Sequence, residues 1–209
     1  MHSHLPILAL AAGLATAKIP FVASSPVIQL GPRTALPPWA RQRQAQACFI
    51  IDSTTLPAET AEAAAAIAST VTCSTTTTTL SGVPDVTAGD TTFSSIDFSQ
   101  SSQTPLGFAL STFATEPTVA DSDLQTFQDE LDTYVATEAG IRSVGGDLAI
   151  KVPKFFLEFQ VSRIQTAQGN SPADAGLQVD HLRDKVLKNA AGEDQTLLDQ
   201  VTQLATHLV

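Results

Sequence analysis

The chain has 209 residues, with 21 acidic and 11 basic side chains and a net charge of −10. A surface so acidic repels nucleic acid and anionic lipid headgroups. The two cysteines, Cys48 and Cys73, and the two histidines of the C-terminal part, His181 and His207, are not spaced as a four-ligand zinc site.

The charge is uneven. Residues 18–47 carry four bases (Lys18, Arg33, Arg41 and Arg43) and no acid, whereas from Cys48 onward 21 acids face 7 bases, a net of −14. The apolar run Leu5 to Ala15, followed by the small-x-small pattern Ala15-Thr16-Ala17, predicts a cleavable signal peptide over residues 1–17. Its n-region holds no Lys or Arg, and the competing reading is a buried N-terminal helix, against which Pro6 argues. Residues 18–47 hold five prolines and no periodicity, so they read as a leader or linker, with Arg41-Gln42-Arg43 a candidate processing site and Trp39 isolated from any apolar pattern. The expected folded domain is 48–209. An even cysteine count in an oxidising compartment predicts one bridge, Cys48 to Cys73, worth roughly 3–4 kcal/mol by chain entropy. Two separate buried thiols are the alternative.

Phe49-Ile50-Ile51 is a strand candidate, and Pro57 opens an alanine-rich helix that runs to Thr70. Thr75 to Thr79 favours a strand by β-branching. In a secreted chain the same run is an acceptor for O-linked sugars, and the two readings compete because a paired strand hides half its hydroxyls. Gly82 to Ser99 reads as loop with one or two short strands, and Pro105 starts a helix that Pro117 stops. Leu124, Phe127, Leu131, Tyr134 and Val135 recur at steps of three and four, which gives one apolar face capped by Asp121 or Ser122. Gln125, Gln128, Asp129, Asp132 and Glu138 are expected to face solvent, with Gly140 as C-cap and Gly145-Gly146 as a turn. The next helix runs from Asp147 or Pro153 to Gln168. It is apolar nearly all round, the signature of a central core helix, and Pro153 kinks it or marks its first turn. Two amphipathic helices follow, one using Val179, Leu182 and Val186, the other Leu197, Leu198, Val201, Leu204 and Leu208, with Gly192 between them. The fold class is thus mainly α: a compact helical domain of four to six helices with a small β element near its N-terminal part.

No catalytic constellation stands out. Ser143 sits in Gly140-Ile141-Arg142-Ser143-Val144-Gly145-Gly146, where Ile141 breaks the Gly-x-Ser-x-Gly pattern of a nucleophile elbow. Glu158, between Leu157 and Phe159, is the acid whose burial would raise its pKa, and Lys154 and Arg163 lie close enough in sequence to pair with it. His181 reads as a surface helix residue, and neither a metal site nor a cofactor motif is expected. The density of phenylalanine raises an apolar pocket lined by Phe127, Phe155, Phe156 and Phe159, against the plainer reading of an ordinary core.

The stretches Phe93 to Phe98, Glu138 to Gly146, Ala149 to Leu157 and Arg163 to Gly169 resemble a family of small secreted proteins of filamentous fungi with no assigned function. The resemblance spans Cys48 to Val209. It implies a fungal, extracellular setting and carries over no catalytic residues. The leading expectation is a secreted, non-enzymatic binding or surface-interaction protein whose partner is the cell wall or another protein. A carrier of a small apolar ligand and a wall-glycan hydrolase acting through Glu158 are the alternatives.

Overall fold

The two longest helices set the frame. A computed structural model describes residues 47–208, so the expected signal peptide, the linker with Trp39 and the Arg41-Gln42-Arg43 site lie outside the described residues. Helix α3 (Leu124–Ser143) and helix α4 (Lys151–Ala167) pack against each other, and α4 also contacts α2 (Pro105–Thr112) and α5 (Val179–Asn189). Helix α1 (Ala58–Ile67) lies on α3, and α6 (Gln195–Thr206) lies on α5 and touches α2. The apolar circumference of α4 is explained by this central place: Val152, Phe155, Phe156, Leu157, Phe159 and Ile164 are all buried. Pro153 falls in the first turn, where its missing N–H breaks no intrahelical bond.

The β element is a three-stranded antiparallel sheet in the order β1-β2-β3, with β1 Val71–Thr78, β2 Pro84–Ala88 and β3 Thr91–Thr92. The sheet packs on α3. Among the described residues the fold is therefore six α-helices and this one small sheet, and no helix is long and apolar enough to cross a membrane.

Tyr134 is fully buried at the centre of an aromatic cluster. Its ring meets Phe93 at 5.0 Å and Phe113 at 5.6 Å, both edge-on, and its hydroxyl donates to the Ile96 carbonyl at 2.6 Å. The aromatic geometry adds to simple burial, and the hydroxyl is satisfied, as a buried phenol requires.

Four local expectations are corrected. Phe49-Ile50-Ile51 is not a strand; it forms a turn and a strap laid on α3. Phe49 is wholly buried, and the Ser143 hydroxyl takes the Ile51 and Asp52 amides at 3.1 and 3.4 Å, so the strap has no need of a β partner. Gly140 does not end α3. A side chain there would meet the Phe49 carbonyl oxygen and Val83 Cγ1, each at 2.6 Å, so glycine is required by close packing in the helix interior. The helix ends instead at Ser143, and Gly145, whose φ of +70° permits the left-handed closing turn, follows it: Gly146 N–H donates to Ile141 O and Gly145 N–H to Arg142 O. The cap of α3 is Asp123, one residue beyond the candidates Asp121 and Ser122. Glu138, expected in solvent, is buried against two cations, which offset its desolvation.

The Cys48–Cys73 bridge is formed and ties the strap to β1. The threonine run is the far half of β1, and Thr75, Thr76, Thr77 and Thr78 are all exposed.

Candidate functional site

On α4, Gln160 and Arg163 stand three residues apart and share a helix face. Both are buried, Arg163 to 1% exposure. The Arg163 guanidinium lies over the Phe159 ring at 5.6 Å. Its Nε donates to the Leu204 carbonyl at 2.9 Å, one terminal nitrogen to Gln160 Oε1 at 2.6 Å and the other to the His207 carbonyl at 2.8 Å. Gln160 Nε2 in turn donates to the Phe113 carbonyl at 2.7 Å.

Among the described residues Arg163 forms no ion pair. Its partners are one amide oxygen and two carbonyls at the end of α6, where the helix dipole favours a cation. Burial pushes its pKa down to about 10, which leaves it charged at any ordinary pH. A guanidinium carries five N–H donors, and three are committed here.

Above this floor opens a cleft of about 450 Å³, within the range of small-molecule sites. Leu110, Pro117, Val119 and Leu204 form its apolar walls. Gln200, Gln203 and His207, one face of α6 continued past its last turn, form a polar rim, and Glu116 also lines the cleft. The site can hold an acceptor group against its floor and an apolar body against its wall. Glu116 disfavours multiply charged anions there.

A second polar cluster lies between α3 and α4. Glu138 accepts from Arg142 at 2.7 Å and from Lys154 at 3.1 Å, and Lys154 reaches Glu158 at 3.4 Å. Lys154 also sits 3.9 Å above the Phe155 ring, with Lys185 at 5.3 Å and Lys151 at 5.8 Å from the same ring. Burial pushes the Glu158 carboxyl up, and the Lys154 and Lys185 charges pull it part of the way back. The opening beside this cluster is about 150 Å³, too small for a sugar chain. Glu158, the acid of the glycan-hydrolase expectation, is thus ion-paired with Lys154.

Ser143, the last residue of α3, is fully buried and gives its proton to the Gly140 carbonyl at 2.6 Å, so its oxygen is occupied as a clasp for the strap. His181 is exposed on α5. No cluster of three or more metal-ligating side chains gathers among the described residues. Phe127, Phe155, Phe156 and Phe159 are all core residues. Phe156 and Phe159 are in contact at 6.0 Å, and of the four only Phe155 borders an opening described here, the small one beside Lys154.

The sequence pattern does not mark the residues of the larger cleft as a site. The one signal was the spacing of Gln200, Gln203 and His207 along a single helix face, next to the apolar face formed by Val201 and Leu204. The decisive contacts, from Arg163 and Gln160 to main-chain carbonyls, leave no mark in residue types.

Comparison with curated proteins finds no match, and comparison with solved structures finds none. A family model described as a domain of unknown function (DUF7143) matches residues 50–209, nearly all of the described part. The chain belongs to the DUF7143 family.

Proposed function

We propose that this domain is an extracellular binding protein without catalytic activity of its own. Its ligand is a small molecule of mixed polarity, held in the cleft between α2, α4 and α6. One observation carries the reading: a buried guanidinium with no acid partner among the described residues forms the floor of an apolar-walled cleft of about 450 Å³. Desolvating a cation costs several kcal/mol, and capping a helix end can be done by an exposed Lys or Arg at far lower cost. Burial at the base of a cleft makes sense for a group that also orients a ligand. The ligand then presents a carboxylate or carbonyl oxygen to Arg163 and Gln160 and lays an apolar portion along Leu110, Val119 and Leu204.

The extracellular part of the reading is supported by the signal-like N-terminus and by the Cys48–Cys73 bridge, a bond that persists in oxidising compartments.

The test is the mass of the protein recovered from its own culture medium, native and denatured. A native mass higher by one small molecule, lost when Leu110→Trp fills the cleft, supports the reading. Equal masses, together with no thermal shift of the protein by long-chain or aromatic carboxylates, overturn it.

A further inference from the structure

The threonine run does more than complete a sheet. We propose that Thr75–Thr78 is an O-glycosylation site, modified through the threonine Oγ1 atoms as the chain passes through a secretory pathway. The inference rests on the extracellular part of the reading above and is independent of the cleft.

Three observations carry it. First, the register of β1 on β2 breaks between Cys73, opposite Val86, and Thr78, opposite Pro84, so the residues between them leave the ladder. Thr75, Thr76 and Thr77 leave the ladder there, Thr78 rejoins it opposite Pro84, and all four are exposed, so the conflict between strand and sugar acceptor disappears. The hydroxyls of Thr75, Thr77 and Thr78 make no hydrogen bond among the described residues, and that of Thr76 has only a 3.4 Å contact with Ser74 Oγ. An extended, anchored segment with free hydroxyls is what a glycosyltransferase can thread.

Second, β1 is an edge strand. Exposed edges are ordinarily blunted by charge, lysine or proline. The run Val71 to Leu80 has none of these; it is uncharged, proline-free and rich in β-branched residues, the composition that pairs edge to edge. Among the described residues the register break is what protects it on the protein side. A row of sugars would supply the missing one.

Third, an open hollow of about 330 Å³ lies beside Thr77 and Thr78, lined by Ser94, Asp97, Ser99 and Gln100. Its lining thus offers hydroxyl, carboxylate and amide groups to the hydroxyls of a first sugar.

In the transfer, the bond from the anomeric carbon of an activated glycosyl phosphate to its phosphate oxygen breaks. A bond from that carbon to Thr Oγ1 forms, the hydroxyl proton goes to a base of the transferase, and the phosphate carrier leaves.

The test uses the full chain, expressed in a secreting eukaryotic host. No Lys or Arg lies between Gln44 and Ile141, so a protease cutting at acidic residues is used to release the segment between Glu62 and Asp85 for mass spectrometry. The expected result is a ladder of whole hexose or N-acetylhexosamine increments on that peptide, localised to Thr75–Thr78 and absent from the secreted, folded variant T75V/T76V/T77V/T78V. Secreted protein with an unmodified peptide, or with sugars only elsewhere, overturns this inference while leaving the extracellular reading intact. Retention of the chain in the cytosol overturns both. The shielding role is read separately: unglycosylated protein made in bacteria with its bridge formed should self-associate with rising concentration, and Thr76→Lys should return it to monomer. A wild-type bacterial protein that stays monomeric refutes the shielding role.

Discussion

Glu130 provides the sharpest quantitative test of the fold's electrostatics. It lies on α3, its Oε2 is buried without a hydrogen-bond partner, and burial pushes its pKa from the ordinary 4.5 up to about 7. Below pH 4.5 the folded and unfolded chains both hold the proton, and the site is neutral in each. Between pH 4.5 and 7 the folded state keeps a proton that the unfolded state has released, so rising pH favours unfolding. Above pH 7 the whole penalty stands. A displacement of about 2.5 pH units corresponds to about 3 kcal/mol at 1.36 kcal/mol per unit. Glu130 keeps partial contact with water, so the expected gain from Glu130→Gln at pH 8 is about 1–3 kcal/mol. The assay is urea unfolding of both proteins at pH 4, 6 and 8, read as the difference between them; Asp132 and Glu158, whose carboxyls are also pushed up by burial, then cancel. The difference should be near zero at pH 4 and largest at pH 8. A difference that does not change with pH would refute the reasoning, since it would show that Glu130 is solvated in the folded state; a difference of the opposite sign at high pH would refute it too, since it would show the carboxylate paired.

Gly140→Ala should destabilise by about 2–4 kcal/mol in chemical unfolding although alanine is the better helix former, because its Cβ meets the Phe49 carbonyl; an increase in stability would show that the strap yields. Replacing Cys48 and Cys73 together by serine should cost roughly 3–4 kcal/mol, and the loss should match that of the reduced wild type in the same unfolding assay. Tyr134→Phe leaves the Ile96 carbonyl without its donor and should cost about 1–2 kcal/mol with little change in the aromatic packing, checked by thermal unfolding and near-ultraviolet circular dichroism. Ser143→Ala should destabilise by a similar amount, roughly 1–2 kcal/mol, and should raise hydrogen exchange at Ile51 and Asp52 selectively.

Much of the helical frame was legible because periodicity reports directly on burial. Leu124, Phe127 and Tyr134 marked the face of α3, and the all-round apolar pattern of Val152 to Ile164 marked α4 as central. Errors arose where a residue's role depends on something distant in sequence. Gly140 reads as a helix end from its neighbours, yet its glycine is required by Phe49 and Val83. Glu138 reads as surface on a helical wheel, yet Lys154 of the next helix brings a charge to it. Phe49-Ile50-Ile51 has strand composition, but the Ser143 hydroxyl takes the Ile51 amide and the Ala47 carbonyl takes the Ile50 amide. The cleft was the least legible part. Its floor is made by side chains of α4 bonding to carbonyls of Phe113, Leu204 and His207, and carbonyls are common to every residue.

The grip of Arg163 on the end of α6 makes the cleft and the helix end a single thermodynamic system. Helix ends open and close readily, and a turn held by one side chain opens when that side chain lets go. A ligand that settles on Arg163 and Gln160 while leaving the bonds to Leu204 and His207 intact adds its binding free energy to the closed form alone. Amide exchange in the last turn of α6 should then slow in proportion to occupancy. The protein thereby carries its own reporter: a mixture of candidate molecules can be screened by watching one turn of helix become quiet, before any of them has been identified.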